Sequence, residues 1–193
     1  MKELLQQLAT VYDEMEKAYN HVGVVLDFSC NGCPDNCCDS FFLHYTYLEW
    51  AYLWEGFSAL PPDKQAEYRD RARNYITNCE SAFNRGEQPR EMCPINENGL
   101  CALYKHRLMI CRLHGVPASM TNPDGQSKQF PGCFRCQELT EGQTSLPTMD
   151  RTSFFRTMVQ MEQSLLAKQA EKLPRVKMTL AEMLVKGAPP VSR

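Results

Sequence analysis

The chain has 193 residues, ten cysteines and a formal net charge of −2. This length suits a single domain with one sizeable core, and no low-complexity linker divides the sequence. Because affinity for a phosphate backbone requires clustered Lys and Arg, the charge balance excludes a generic nucleic-acid-binding protein.

The sequence shows no membrane or targeting signal. It contains no run of about eighteen uncharged apolar residues, and its start, M-K-E-L-L-Q-Q-L, lacks the basic flank, apolar region and cleavage site of a signal peptide. We therefore expect a cytoplasmic protein that does not enter a membrane. Because the cytoplasm is reducing, ten cysteines favour metal ligation over disulfide bridges.

The first predicted element is an amphipathic helix that begins near residue 3 and ends near Gly23. Apolar residues recur along it at alternating steps of four and three. They are Leu4, Leu8, Val11, Met15, Ala18 and Val22. This apolar stripe can pack on the protein's own core or join two copies of the chain in a homodimer, and the sequence leaves both open.

A dense cysteine cluster follows, reading C-N-G-C-P-D-N-C-C from Cys30 to Cys38. The pair Cys30-x-x-Cys33 can bring two thiolates to one metal through a tight turn, for which Gly32 supplies backbone freedom. Neighbouring side chains usually diverge, so we expect one of Cys37 and Cys38 to ligate this metal. The other would serve a second site or remain a buried thiol. Four thiols among polar turn residues are hard to explain by packing, and we interpret the segment as a metal site.

Two helices are predicted between this cluster and the next cysteines. The capping pattern Thr46-x-x-Glu49 opens the first helix, which should end at Pro61-Pro62. The second helix should begin there and end at Gly86.

Two residues close to these helices are of a type that can ligate metals. Cys79 falls on the apolar stripe of the second helix, where a free cysteine behaves as a small hydrophobe, so we leave it out of the site. His44 lies in a short, β-prone aromatic run that precedes the first helix. It could be a ligand, but a lone histidine in such a run is more often a packed core residue.

The second cysteine group comprises Cys93, Cys101 and Cys111. Between the first two, Asn98-Gly99 is a strong signal for a β-hairpin. Such a hairpin would fold Cys93 and Cys101 toward one another across a short loop, so all three cysteines are predicted metal ligands.

Two arginines accompany this group, Arg107 before Cys111 and Arg112 directly after it. Thiolate clusters carry net negative charge, so nearby guanidinium groups can stabilise them and raise a reduction potential. We predict that Arg107 and Arg112 contact the bound cofactor, although a surface basic patch explains either one equally well.

Residues 115–149 are rich in Gly, Pro, Ser, Thr and Asn, and we predict an irregular segment wrapped over the metal region. Within it, Cys133-x-x-Cys136 repeats the C-x-x-C spacing. A loop of this length is unusual inside a compact domain unless function or a metal orders it. We therefore count Cys133 and Cys136 as metal ligands.

The chain is predicted to end in two further helices. Asp150 is the expected N-cap of a long helix that stops before Pro174. A capping pattern, Thr179-x-x-Glu182, opens a shorter one. The fold class that follows is mainly α, a single helical domain with a cysteine-rich, loop-dominated metal-binding region and a short β-hairpin. We expect an N-terminal helix at 1–27, a cysteine-cluster metal-binding domain at 28–140, and C-terminal helices and a tail at 141–193.

The two cysteine groups together resemble the YkgJ-like cysteine-cluster family, which is named for a C-x-x-C-x-x-C-C motif and described as a zinc- or iron-chelating domain. The resemblance spans roughly residues 30–112. Its most specific part begins at Cys93 with C-P and continues as G-x-C-x-x-Y-x-x-R-x-x-x-C-R, ending at Arg112. Leu108 stands where the family has a proline. His114 follows Cys111 at a spacing compatible with a shared metal.

The resemblance implies oxygen-sensitive iron–sulfur binding, because a similar cysteine motif occurs in flagellin lysine methylases that carry a [4Fe-4S] cluster. The leading hypothesis is therefore a [4Fe-4S] protein that acts in electron transfer or cluster-assisted group transfer, with a redox or protein partner that the sequence does not identify. The alternative is a non-enzymatic module in which Zn²⁺ ions pin irregular loops to a helical scaffold. No Gly-rich cofactor motif is recognisable, so the sequence does not decide whether the protein is an enzyme.

Overall fold

The computed structural model of the chain describes residues 1–30 and 37–191. Within these residues the fold is mainly α-helical, as the sequence predicts. The helices are α1 (Lys2–Val25), α2 (Tyr47–Ser58), α3 (Pro62–Asn84), α4 (Met109–Leu113), α5 (Phe134–Leu139), α6 (Thr152–Leu166) and α7 (Leu180–Lys186). The strands are β1 (Asn96–Glu97), β2 (Leu100–Cys101), β3 (Ala118–Thr121), β4 (Ser127–Phe130) and β5 (Met149–Asp150).

The described residues form two compact units, each built from two separate stretches of chain. The first unit contains residues 37–108 and 164–191, together with Met1. The second unit contains residues 2–30 and 109–163. The predicted division into parts that end at residues 27 and 140 stays a prediction.

Helices α2, α3 and α7 supply most of the apolar core of the first unit. Helix α2 begins as predicted, where the Glu49 N–H donates to Thr46 Oγ1 (3.2 Å). Helix α3 packs along α7, whose first turn is closed by a reciprocal pair of hydrogen bonds between Thr179 and Glu182. The buried side chains of these helices include Leu48, Leu53, Phe57, Ala72, Met183 and Leu184.

The β1–β2 hairpin carries Cys101 in the first unit. Asn98 and Gly99 have φ values of 51° and 89°, which is the geometry of a tight two-residue hairpin turn. The Gly99 N–H donates to the side-chain oxygen of Asn96 (3.0 Å), and Asn96 pairs with Cys101 across the two strands. The predicted hairpin is therefore confirmed, with strands of two residues each.

Helix α1 contributes the largest apolar face of the second unit and packs against α4 and β5. Leu8, Met15 and Val22 of the predicted stripe are buried, but Tyr12 is more deeply buried than its neighbour Val11. The stripe is therefore slightly rotated from the predicted one. The helix also continues to Val25, beyond the expected end at Gly23.

Residues 115–149 contain more regular structure than predicted. Strand β3 pairs with β4 in antiparallel and with β5 in parallel orientation, and α5 follows the hairpin. The expectation of an irregular segment is therefore wrong. The sequence did not reveal these strands because they are short and rich in Ser, Thr and Gln, and so show little alternation of apolar and polar residues. Their pairing supplies the order that the local pattern does not indicate.

Two other predictions need adjustment in the described residues. The aromatic run at 41–45 forms no strand of the two sheets, and only an isolated bridge joins His44 to Met178. Helix α6 ends at Leu166, well before Pro174, although Asp150 does accept the Thr152 N–H at its start (2.9 Å). Among the described helices, none is both long and apolar enough to cross a bilayer.

His44 is a packed residue of the first unit. Its side chain is 4% exposed, and its backbone exchanges hydrogen bonds of 2.7 and 3.1 Å with Met178. Burial lowers the pKa of the imidazole from 6.5 to about 4, because the charged form loses its hydration. His44 is therefore neutral in the folded protein at physiological pH.

We predict that the metal-free protein loses stability as the pH falls from 6.5 to 4. In this window the unfolded chain binds a proton at His44 that the folded chain does not yet bind, so the free energy of unfolding should decrease by up to about 3 kcal/mol. Urea unfolding of wild-type protein and His44→Gln across this range measures the effect. The variant should depend less steeply on pH, and equal slopes would contradict a neutral, buried imidazole.

Candidate metal centre

No disulfide bridge joins the nine described cysteines, which are divided between the two units. Cys33, which the sequence pairs with Cys30, lies outside the described residues. The first unit holds Cys37, Cys38, Cys79, Cys93 and Cys101, and the second holds Cys30, Cys111, Cys133 and Cys136.

In the first unit, backbone hydrogen bonds bring two cysteine-bearing segments side by side. The Cys93 N–H donates to the Cys38 carbonyl oxygen (2.9 Å), and a β-bridge joins Ser40 to Arg90 nearby. Cys38 and Cys93 are both partly exposed, so neither is held by burial. The main chain thus joins the first predicted cysteine group to the second.

Asn96 links this pair to the hairpin. Its N–H donates to the Cys93 carbonyl oxygen (3.0 Å), and it faces Cys101 across β1 and β2. Its side-chain Nδ2 is buried and forms no hydrogen bond of normal geometry within the described part of the chain. The same side chain is close enough to the Cys38 sulfur to lower the pKa of that thiol. A donor in this position suits a thiolate or a sulfide acceptor.

The Cys38 thiol has a pKa lowered from 9.0 to about 6. The largest cause is a hydrogen bond from the Cys37 thiol, with smaller contributions from Asn96 and from the charge of Arg107. Partial burial and the charge of Asp39 oppose the shift. Cys38 is therefore a thiolate at neutral pH, which is the form that binds metals.

Arg107 is oriented by an aromatic ring. Its guanidinium carbon lies 3.8 Å from the centroid of Tyr104, a close cation–π contact. Tyr104 is the first residue of a 3₁₀ turn at Tyr104–His106, and Arg107 directly follows it, which explains their Y-x-x-R spacing. Because Arg107 also lowers the pKa of Cys38, its positive charge reaches the thiolate.

Arg112 lies in the second unit, on α4. It is 6% exposed, and its guanidinium carbon lies 4.2 Å from the centroid of the Tyr12 ring. This contact accounts for the burial of Tyr12 in place of Val11. A role for Arg112 in contacting a cofactor stays a prediction.

In the second unit, Cys30 and Cys133 are connected by a short series of contacts. The Tyr19 hydroxyl lies 3.7 Å from Cys30 Sγ. The same hydroxyl packs directly on Gly115, where a Cβ atom would lie 2.0 Å from the tyrosine oxygen. The Gly115 carbonyl oxygen then accepts the Cys133 N–H (2.8 Å). Only Tyr19 and Gly115 separate the two cysteines.

Cys136 completes this group at the start of α5. It is fully buried, and burial together with the charges of Cys133 and Cys30 raises the pKa of its thiol to about 11. The thiol therefore keeps its proton in the metal-free chain. Cys133 and Cys30 therefore lie near enough to Cys136 for their charges to affect its ionisation.

Helix α4 carries Cys111, which is partly exposed, and His114 follows the helix, donating its N–H to the Ile110 carbonyl oxygen (3.1 Å). Burial, and then the charge of Arg151, lowers the pKa of His114. The neutral imidazole that results is the protonation state of a metal ligand. Ligation by Cys111 or His114 stays a prediction.

Cys79 occupies the position that its sequence pattern indicates. It lies on α3 and is 4% exposed, and burial raises the pKa of its thiol. It packs in the core of the first unit, so it is a suitable control for substitutions of the other cysteines.

Within residues 1–30 and 37–191, no three His, Cys, Asp or Glu side chains are grouped closely enough to hold a metal ion. The cysteine segments are neighbours, but their sulfur atoms do not form a closed ligand set. The sequence did not predict a role for Asn96, Tyr19 or Arg151, because their positions depend on tertiary contacts. Asn96 alone had a local signal, because it lies beside the hairpin turn.

A cavity of about 220 Å³ opens beside Cys93 in the first unit. Polar side chains line much of it, including Arg71, Asn74, Asn78 and Glu91.

We predict that Gly132→Ala destabilises the protein more than Gly125→Ala does. Both glycines have positive φ values, 87° and 84°, so each alanine carries a backbone cost of about 1 kcal/mol. At Gly132 an added Cβ would also lie 2.5 Å from the Gly115 carbonyl oxygen, whereas Gly125 has open space. Urea unfolding should show an additional loss of at least about 1 kcal/mol for Gly132→Ala. Equal losses would contradict the close approach that positions Cys133.

Comparison with known proteins gave no relative on which a function could rest: no family model, no curated protein and no solved structure matches this chain.

Proposed function

We propose that the protein is a cytoplasmic iron–sulfur protein whose first unit binds a [4Fe-4S] cluster through Cys37, Cys38, Cys93 and Cys101. Such a cluster takes four thiolate ligands, and these four cysteines belong to one unit. We include both Cys37 and Cys38, instead of the single ligand expected from the sequence, because their thiols are hydrogen-bonded to each other and so do not diverge. The observation that carries the proposal is the backbone hydrogen bond between Cys93 and Cys38, with the buried Asn96 donor beside it.

The protonation state of the cysteines supports ligation. Cys38 is already a thiolate at neutral pH, so binding there releases no proton. The remaining sulfur atoms have to move closer to complete the ligand set, which couples metal binding to local ordering. The backbone contacts reduce the entropy lost in that step because they hold two of the segments together beforehand.

Two polar groups of the first unit suit a negatively charged sulfur centre. The Asn96 amide supplies a buried hydrogen-bond donor beside Cys38, and Arg107 supplies a positive charge that its stacking on Tyr104 keeps in place. Donors and cations near an iron–sulfur centre stabilise its reduced form and raise its potential. A bound [4Fe-4S] cluster would supply one-electron transfer, or assistance to group transfer if one iron were open to substrate.

The surroundings of these cysteines are accessible to a partner. Cys37 is exposed, and Cys38, Cys93 and Cys101 are partly exposed. An electron donor or acceptor protein can therefore approach closely, and the cavity of about 220 Å³ beside Cys93 is large enough to admit a small molecule. The sequence resemblance to the YkgJ-like cysteine-cluster family supports both membership of that family and the binding of iron.

The first test is anaerobic purification with iron and sulfide analysis. The wild-type protein should be brown, should bleach with dithionite, and should give the EPR signal of a reduced [4Fe-4S] cluster. Cys93→Ser and Cys101→Ser should each lose the cluster, while Cys79→Ala should keep it and lose only a modest packing contribution of about 1 to 2 kcal/mol. Wild-type protein that is colourless and binds zinc in place of iron would refute the proposal. Loss of iron in Cys79→Ala would refute it as well.

The second test concerns the reduction potential. Arg107→Gln should retain the cluster and lower its potential, because a positive charge that favours the reduced state is removed. Lys105→Gln is the matched control, since it removes the same charge from an exposed side chain of the neighbouring turn. Redox titration followed by EPR measures both. Equal shifts in the two variants would show that Arg107 acts only through the net charge of the protein.

A further inference from the structure

We propose that the second unit binds a separate structural zinc ion, with Cys30, Cys133 and Cys136 as three of its ligands. This inference goes beyond the proposed function and does not depend on the metal of the first unit. It rests on the contacts that link these cysteine-bearing segments and on a buried arginine that contacts residues near two of them.

The geometry brings three distant parts of the chain together. Cys30 follows α1, while Cys133 and Cys136 flank the first turn of α5. Tyr19 contacts both Cys30 and Gly115, and Gly115 binds the backbone of Cys133. The two glycines in this series, Gly115 and Gly132, allow the backbones to approach more closely than any side chain would permit. The fold thus holds the thiol-bearing segments at close range.

Within the described residues the three sulfur atoms do not yet form a closed ligand set. A zinc ion would deprotonate the coordinating thiols and draw their sulfur atoms onto one centre, so binding would be coupled to a local closure of these segments.

Arg151 supplies the second, independent observation. It is 5% exposed, and its Nε has no hydrogen-bond partner in the described part of the chain. Another guanidinium nitrogen donates to the Leu113 carbonyl, and its guanidinium carbon lies 4.7 Å from the Phe130 ring centroid. Leu113 is two residues before Gly115, and Phe130 is three before Cys133, so Arg151 lies against both segments of the thiol group.

The charge of Arg151 calls for a compensating anion. Among the described residues no carboxylate forms a salt bridge with it, and burial lowers the pKa of its guanidinium to about 10. A zinc ion bound by thiolates alone carries net negative charge and would compensate a buried guanidinium.

Zinc is favoured over a second cluster by spacing and burial. Cys133-x-x-Cys136 has the ligand spacing of structural zinc sites, and Cys136 is fully buried. A closed zinc site needs no access for a redox partner. Its effect here would be to fasten the segment between β4 and α5 to the end of α1.

The test is a crossed comparison of metal content in the full-length protein. Protein purified anaerobically from medium containing both iron and zinc is analysed for each metal, as wild type and as Cys133→Ser, Cys136→Ser, Cys101→Ser and Cys79→Ala. We expect stoichiometric zinc in the wild type. Cys133→Ser and Cys136→Ser should lose zinc and keep iron, whereas Cys101→Ser should lose iron and keep zinc. Cys79→Ala should keep both.

A second measurement uses the wild type alone and avoids variants that fail to fold. Metal-free protein is alkylated with and without Zn²⁺, and the modified cysteines are identified by mass spectrometry. Zinc should protect Cys30, Cys133 and Cys136 together, and the remaining protected residue identifies the fourth ligand.

Three outcomes would overturn the inference. They are a wild type without zinc, zinc that survives in both Cys133→Ser and Cys136→Ser, and protection by Zn²⁺ that omits these three thiols. If Cys101→Ser loses iron while the zinc results fail, the proposed function stands and only the second site falls. If zinc behaves as expected and no iron is found, the zinc site stands and the proposed iron–sulfur function falls.

Discussion

The contact on which the proposed cluster site depends is the hydrogen bond from the Cys93 N–H to the Cys38 carbonyl oxygen. Loops rich in Gly, Pro and Asn have few apolar side chains, so they cannot be ordered by burial. In the first unit main-chain hydrogen bonds order these loops instead, because the bond between Cys93 and Cys38 and the adjacent β1–β2 hairpin hold together segments that are distant in sequence. Asn96 then brings Cys101 and the Cys38 sulfur into the same neighbourhood. The helices α2, α3 and α7 supply a rigid base, but the order of the cysteine loops is local and polar.

Electrostatics distinguish the two groups of thiols. Cys38 has donors and a cation around it, and its pKa is lowered, whereas Cys136 is buried among other thiols, and its pKa is raised. The first environment stabilises a thiolate before any metal arrives, and its partial exposure suits exchange of electrons with a partner. The second environment favours the protonated thiol, so a metal that binds there would first have to displace the proton, as the proposed zinc site requires. Cysteine side chains in the two groups thus have different protonation states, and the difference comes from solvent exposure, hydrogen-bond donors and neighbouring charge.

Much of the fold could be predicted from the sequence, and the reasons are local. Helices α2, α3 and α7 begin and end at capping residues, prolines and glycines whose effect needs no tertiary context, and Asn98-Gly99 fixes its hairpin in the same way. Strands β3 to β5 were missed because polar strands show little periodicity and are ordered by pairing. The site was predicted as a set of residue types. Its neighbours Tyr19, Asn96 and Arg151 could not be predicted, because the contacts that matter join α1, a hairpin and a strand end that are remote along the chain.

The packing at Gly115 has a consequence for how this sequence can vary over evolutionary time. The Tyr19 hydroxyl occupies the volume that a side chain at position 115 would need, and the carbonyl of that residue fills the corresponding volume at Gly132. A side chain at 115 would collide with the tyrosine hydroxyl and one at 132 with main chain, and both glycines also have positive φ values, 133° and 87°. Both positions should therefore remain glycine in divergent descendants of this chain, whereas the tyrosine is free to become smaller.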